Sequence, residues 1–410
     1  MSAQQHEVAV VGAGPAGLCV AAELRRLGVD VTVYERRQGA APGSRAIGVH
    51  PPTLAALEAS GATERMLAEA ARILRGLART REGRVLGEVR FDSKRRRFPF
   101  VAAVPQAVTE AALAFGAPAP IRDAEVQQLA PDGPGAILLV RVGGAEVEVR
   151  ARAVVLAAGA GSRSRLLPAA RPRGRAYSDS YLMTDLRHAP GQPGDLAIIT
   201  LDGAGVVESF PLSNGGRRLV AWDGPLSSPG SGSGWQSGSG SRDATDPERD
   251  AAARAERLRL AVAERSGEQD LAAGIETATG FAIRRVLLPR MRSGALFVIG
   301  DAAHEVSPIG GQGMNLGLLD AVTLAPALAS WLRRGAGESQ SEGALDRWER
   351  RRLVSARTAA RLAELNTSIG RARHPRGHRA LTATIGATAR GPIAQLAAHA
   401  YTMGFDRDAA

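Results

Sequence analysis

Two glycine-rich segments hold the residues whose types and spacing do chemistry in this 410-residue chain. In the first, an apolar run from His6 to Val11 feeds Gly12-Ala13-Gly14-Pro15-Ala16-Gly17, and a helical pattern covers Leu18 to Leu27. A second apolar run, Val29 to Tyr34, then ends in Glu35 and Arg36. In the distal segment a strand-like run, Ala295 to Ile299, enters Gly300-Asp301-Ala302-Ala303-His304-Glu305-Val306-Ser307-Pro308-Ile309-Gly310-Gly311-Gln312-Gly313-Met314-Asn315. An apolar helical pattern, Leu316 to Leu328, leaves it. Each segment is a strand, a glycine turn and a helix start, and amides at a helix N-terminus hold electron-rich or anionic ligand groups.

The first segment has a specific mechanical reading. Gly12 makes the tight turn, Gly14 lets the backbone approach a pyrophosphate, and Gly17 lets helix and strand pack closely. Glu35, eighteen residues beyond Gly17, is placed to accept hydrogen bonds from a ribose hydroxyl. The whole unit, strand to acid, predicts a dinucleotide site rather than a structural turn, without choosing between FAD and NAD. The distal loop makes that choice, because a nicotinamide dehydrogenase has no use for a second glycine loop and a flavin has.

GAGPAG at Gly12 paired with GDAAH and PIGGQGMN from Gly300 resembles the group A flavoprotein monooxygenases. This is the para-hydroxybenzoate hydroxylase-like family, which includes the ubiquinone-biosynthesis hydroxylases. The resemblance implies an α/β fold: a discontinuous Rossmann-type FAD-binding domain, an inserted mixed β-sheet substrate domain and C-terminal helices. It also implies ligand roles. Arg45, opening Arg45-Ala46-Ile47-Gly48-Val49-His50-Pro51-Pro52-Thr53-Leu54, looks like the arginine that reaches FAD. Gln106, after Val104-Pro105 and before Glu110 and Leu113, looks like the family's flavin-side glutamine, and Val126 falls where a backbone contact to adenine is made. Gly300 and Asp301 would meet the ribityl chain, and Pro308, Gly311, Gln312, Gly313, Met314 and Asn315 would line the isoalloxazine. The dipole of the helix beginning near Met314 would stabilise a reduced, anionic ring. His304 is expected to be a structural hydrogen-bonder.

One departure from the family pattern stands out. After the strand Val154-Val155-Leu156-Ala157-Ala158-Gly159 the family has an Asp-Gly element followed by Ser and Arg, whereas this chain has Ala160-Gly161-Ser162-Arg163-Ser164-Arg165. Ala160 replaces the aspartate, and Leu167 stands where the later arginine is expected. The backbone turn is kept, so the effect is expected on hydride delivery by nicotinamide.

The chemistry implied by the resemblance is FAD reduction by NADPH or NADH, reaction with O2 to a C4a-hydroperoxyflavin, and hydroxylation of a phenolic, quinone or polycyclic aromatic substrate. A bacterial specialised-metabolite tailoring step is expected. Epoxidation, Baeyer–Villiger insertion and the choice of nicotinamide stay open. So does the catalytic base, with His50, His188, Tyr177, Tyr181 and Arg217 all in plausible pocket segments. Three alternatives share the scaffold: a reductase or dehydrogenase without oxygen insertion, a flavin halogenase, and a non-enzymatic flavin-holding scaffold. No WxWxIP element accompanies Trp222, Trp235, Trp331 or Trp348, which argues against the halogenase.

Composition narrows the classes further. The net charge of +11 comes almost wholly from arginine, since Lys94 is the sole lysine. The runs Lys94-Arg95-Arg96-Arg97 and Arg350-Arg351-Arg352 are short and lack interleaved aromatics, so nucleic acid is not the expected partner. Cys19 is the only cysteine, which excludes an intramolecular dithiol and a thiolate metal site. The dinucleotide turn occupies the place of a signal peptide and no transmembrane run is found, so a cytoplasmic protein is expected. The oligomeric state, monomer or homodimer, stays open.

The elements that must position these residues follow from the pattern. The FAD-binding domain is expected from residues 1–75, 99–167 and 290–334, the substrate-binding domain from 76–98 and 168–289, and a C-terminal helical region from 335–410. Leu196 to Leu201, Val206 to Pro211 and Arg217 to Trp222 read as short strands roofing the substrate pocket. Ser227 to Ser241 is a Gly/Ser tract, too poor in apolar groups to pack. Asp246-Pro247-Glu248 starts a helix through Arg265, Trp348 to Asn366 is a long helix, and the tail Leu381 to Met403 is expected to cover its own domain.

Overall fold

The computed structural model describes residues 4–39, 46–92, 97–225, 247–335, 338–388, 396 and 398–406. Arg45, residues 94–96, the Gly/Ser tract and Asp246 lie outside the described residues.

A seven-stranded sheet carries both glycine turns. Its parallel centre sets Gln4–Val11 between Val31–Tyr34 and Ala145–Leu156, and the latter pairs in parallel with Leu296–Val298. Val8, Ala9, Val10, Val154 and Val155 are fully buried, the continuous apolar run that a parallel strand covered on both faces requires. Gly135–Val142 and Ala124–Asp132 extend the sheet as an antiparallel flap.

Helices Pro15–Arg26 and Gln312–Arg334 pack against each other, one from each glycine segment. The second is long and apolar enough to cross a membrane, yet 72% of its apolar window is buried inside the protein, so it is a core helix. It begins at Gln312, a few residues before the apolar pattern does. The helix expected at Trp348 to Asn366 runs over Ser339–Gly370, with the Glu338 side chain accepting the Ser341 N–H at its start.

A second, eight-stranded sheet is mainly antiparallel. Its order is His304–Glu305, Thr279–Leu287, Arg173–Leu186, Arg217–Pro225, Val207–Pro211, Leu196–Leu201, Arg75–Thr80 and Val85–Arg90. Helix Pro247–Ser266 covers one face through Leu258 and Val262 against Leu182, Leu219 and Ala221. The other face meets Ile309 of the distal loop and Ile369 of the long helix. Because His304–Glu305 pairs with Val286 and Leu287, the distal loop belongs to both sheets at once. A small sheet of Gly48–Val49, Val101–Ala103 and Ala71–Ile73 sits beside it.

Candidate functional site

The first glycine turn is built by close approach. Gly12 sits at φ 106°, and a methyl there would fall 2.7 Å from the Ala157 oxygen. A methyl on Gly17 would lie 1.9 Å from the Gly12 oxygen, so helix and turn meet only because both lack side chains. Gly14 is different: it caps the helix at φ −80°, and a methyl on it meets nothing within 4 Å. Pro15 fills the first helical position, where its missing N–H costs nothing.

Glu35 is buried, at 4% exposure, at the end of the second strand. One carboxylate oxygen accepts the Ala13 N–H at 2.8 Å, and Arg37 donates from its backbone and its guanidinium, both at 2.9 Å. Burial pushes this carboxyl up, but the Arg37 and Ala13 hydrogen bonds outweigh it and hold it below the usual range. Arg36 projects into solvent. Val126 is buried two residues after Ala124, whose N–H donates to the Glu35 carbonyl at 3.0 Å. Gln106 opens helix Gln106–Ala114 and donates to Glu110 at 2.9 Å; the Glu110 charge reaches Arg37. Glu35 and Val126 thus share one strand end, and Gln106 is linked to it only through the charges of Glu110 and Arg37.

The distal loop is fixed from several sides. Gly310 and Gly311 take φ values of 106° and 67°, left-handed conformations that turn the chain into helix Gln312–Arg334. Asn315 is fully buried; its amide donates to the carbonyls of Gly48 at 2.7 Å and Gly311 at 2.9 Å. Its carbonyl accepts the His50 N–H. Gln312 is buried and its side-chain amide donates to the Ala400 carbonyl at 3.2 Å, which ties the helix start to the C-terminal segment. Gly313 and Met314 are half-buried, and Pro308 and Asp301 are exposed.

Behind the loop lies an ionic network that sequence reasoning did not find. His304 Nε2 lies 2.6 Å from Asp320 Oδ2, which also accepts the Gly300 N–H at 3.1 Å. Arg352 donates to Asp320 at 2.8 Å and to Asp406 at 2.7 Å, and all four side chains are buried. Burial lowers the His304 pKa, but the Asp320 charge and hydrogen bond overcome it, so the imidazole is held above its ordinary value. Asp320 is held below its own despite burial. The structural role expected for His304 matches this geometry. Arg352, which belongs to the run Arg350-Arg351-Arg352, is fully buried rather than a solvated charge.

Ala160 is half-buried and opens the turn Ala160–Ser162, which Ser162 closes by donating to the Gly159 carbonyl at 2.7 Å. The next residue, Arg163, named in the sequence only as part of this element, donates to the carbonyls of Ala302 at 3.0 Å and Asp301 at 2.6 Å. The element with the missing aspartate therefore holds the Gly300–Ala302 turn by a side chain from its own helix.

Among the five residues open as bases, Arg217 is committed elsewhere. It donates to Ser209 Oγ at 2.6 Å and to the carbonyls of Pro193, Leu196 and Ser209, and burial pushes it down to about 10. His188 is exposed. His50 is buried beside Gly311, and burial pushes its pKa down to about 4 against the opposing pull of the Gly310 and Gly311 backbone. Tyr177 and Tyr181 are buried on the sheet face toward Ile309.

The two segments converge. A methyl on Gly300 would lie 3.2 Å from the Ala16 Cβ, and one on Gly317 would lie 3.3 Å from it. A dinucleotide fits the donor set. Gly14, Gly159 and Gly161 all face space in which an added methyl meets nothing within 4 Å, next to a helix N-terminus and a buried acid.

Comparison with known proteins agrees. A family model described as an FAD binding domain matches residues 5–363. The 6-methylpretetramide 4-monooxygenase of Streptomyces rimosus is 31% identical over 90% of this chain, which spans 64% of that relative's length. The anhydrotetracycline hydroxylase structure from Streptomyces rimosus is 25% identical with a TM-score of 0.73, covering 98% of this chain and 76% of the other. The p-nitrophenol 4-monooxygenase structure from Pseudomonas putida shares the fold end to end, with a TM-score of 0.79 at 21% identity over 99% of both chains. A fold of two large sheets and a small one, two glycine turns meeting at Ala16 and a family match over most of the chain lead to one conclusion: the protein belongs to the FAD-binding-domain family of the group A flavoprotein aromatic hydroxylases.

Proposed function

We propose that this chain is an NAD(P)H-dependent FAD monooxygenase that hydroxylates a phenolic or fused-ring aromatic substrate in a bacterial specialised-metabolite tailoring step, and that it works in the cytoplasm. The observation that carries this reading is the contact of Ala16 with Gly300 and Gly317, which makes one site from the two glycine segments. In this reading Gly12 to Gly17, Glu35, Arg36, Arg45 and Val126 hold the adenosine and pyrophosphate half. Gln106, Gly300, Asp301, Pro308 and Gly311 to Asn315 hold the flavin half. Bound FAD supplies hydride acceptance from the nicotinamide and activation of O2.

The chain's own residues do the rest. Asn315 fixes the spacing between the loop and residues 48–50, and the Asp320 carboxylate holds the Gly300 amide in place. The apolar face of the eight-stranded sheet excludes water and packs a planar ring. The relatives named for 6-methylpretetramide and for anhydrotetracycline support a fused-ring phenol over a single ring. FAD reconstitution, bleaching by NADPH or NADH, and incorporation of labelled O2 into a fused-ring phenol test the reading.

A further inference from the structure

Glu208 lies on the sheet face that meets the distal loop. Along Val207–Pro211, Val207 belongs to the core under helix Pro247–Ser266 and Ser209 binds Arg217, whereas Glu208 alternates to the opposite face. Its cross-strand neighbours there are Ile199 and Val220, and Met183 follows Val220 in the same row.

Around Glu208 that face is mostly apolar or aromatic, its nearest charged neighbours being Arg218, opposite Phe210, and Asp185, opposite Arg218, which are bound to each other. Toward one side, Val220, Met183 and Tyr181 cluster with Ile309 of the distal loop and Ile369 of the long helix, and Tyr181 stacks on Phe281 at 5.7 Å. Toward the other, Phe210 and Ala197 join Ile47 and Val101. Ile309 lies inside the Pro308 to Asn315 stretch, and Ile47 immediately precedes the Gly48 to His50 segment that Asn315 clamps. Both apolar clusters therefore border the flavin half of the proposed site.

Glu208 is 7% exposed, and its carboxyl has no hydrogen-bond partner among the described residues. The cations nearest along the fold are taken: Arg218 is bidentate on Asp185, Arg371 on Asp179, and Arg217 lies on the far face. Two titratable groups feel the Glu208 charge, Tyr181 from its own sheet and Tyr401 from the C-terminal segment. Burial first, then Glu208, raises both, Tyr401 to about 12. Tyr401 donates to Asn366 of the long helix at 3.2 Å, and the Tyr181 hydroxyl has no hydrogen-bond partner among the described residues. Burial alone pushes Glu208 up to about 7.

A buried acid without a donor is costly unless a ligand completes it, and an unpartnered polar group in a largely apolar wall is how a pocket orients a mostly apolar molecule. We propose that Glu208 contacts the substrate and accepts the proton of its phenolic hydroxyl. The O–H bond of the phenol breaks, the proton binds a Glu208 carboxylate oxygen, and the electron pair stays on the phenolate, whose ring becomes the more electron-rich partner for oxygen insertion. The proton then passes to solvent, returning the carboxylate. This assignment rests on the hydroxylation reading above.

The test uses the FAD-reconstituted full chain and alizarin, a hydroxyanthraquinone whose visible spectrum reports its ionisation. Bound to wild type, the dye should ionise at a pH displaced from its value in free solution, with an affinity that changes across neutrality as Glu208 titrates. Glu208→Gln should flatten that pH dependence and weaken binding about tenfold, the scale of one charge-assisted hydrogen bond, while Glu208→Asp keeps the pH dependence. A Glu208→Gln profile superposable on wild type would overturn the assignment. So would wild type that keeps FAD yet leaves the dye ionising as in free solution. Failure of wild type to take up FAD would instead sink the hydroxylation reading.

Discussion

The side-chain carbonyl of Asn315 accepts the backbone N–H of His50 at 2.8 Å, joining two residues 265 positions apart in sequence. With its amide on Gly48 and Gly311, this one side chain spans the small sheet and the distal loop.

Asn315→Leu should therefore strand a buried N–H and two carbonyls, costing about 2–4 kcal/mol in urea denaturation. It should also loosen FAD binding. A loss below about 0.5 kcal/mol would mean that the clamp does not set the loop.

The His304, Asp320, Arg352 and Asp406 network makes a pH-dependent prediction. His304 is raised in the folded state, so its contribution is complete below the ordinary imidazole value and is lost as pH rises through the raised one. Asp320 is depressed, so its contribution is present above the ordinary carboxylate value and is lost as pH falls through the depressed one. His304→Gln should remove its share of the alkaline loss, seen as a flatter melting temperature profile above neutrality. Arg352→Met, which leaves two buried carboxylates facing each other's field, should cost about 3–5 kcal/mol. An unchanged alkaline profile in His304→Gln would mean that the histidine is neutral in the fold.

Two glycines of the first turn should separate folding from ligand binding. Gly17→Ala drives a methyl onto the Gly12 oxygen and should destabilise the apoprotein by about 1–3 kcal/mol. Gly14→Ala meets no protein atom within 4 Å, so apoprotein stability should hold within about 0.5 kcal/mol while FAD affinity falls about tenfold or more. Equal FAD affinity in Gly14→Ala and wild type, by flavin fluorescence titration, would place the pyrophosphate elsewhere.

What was legible in the sequence is what glycine and apolar periodicity encode locally. The strand, turn and helix around Gly12 and Gly300 announce themselves because each needs residues that only glycine supplies. The buried ionic network does not, because Asp320, Arg352 and Asp406 are ordinary surface types until tertiary packing aligns them; Arg352 read as one more charge in a basic run. The long helix was read short, at Trp348 to Asn366, although it begins at Ser339 and carries Gly343 in its first turns. Glu208 sat in a strand read from alternation, but alternation does not say which face the distal loop will cover.

Ala160 stands at the start of the turn that Arg163 ties to Asp301 and Ala302. Restoring the acid with Ala160→Asp should speed reduction of bound FAD by NADPH about threefold to tenfold, the effect of about one hydrogen bond. Equal or slower reduction in stopped flow would remove this residue from hydride delivery.

The most direct test of the monooxygenase reading is turnover of the FAD-loaded protein with NADPH, a hydroxylated fused-ring aromatic and labelled dioxygen, with product mass as the readout. One labelled oxygen atom per product molecule is the predicted result. Nicotinamide and substrate consumption with no label in the product would contradict it.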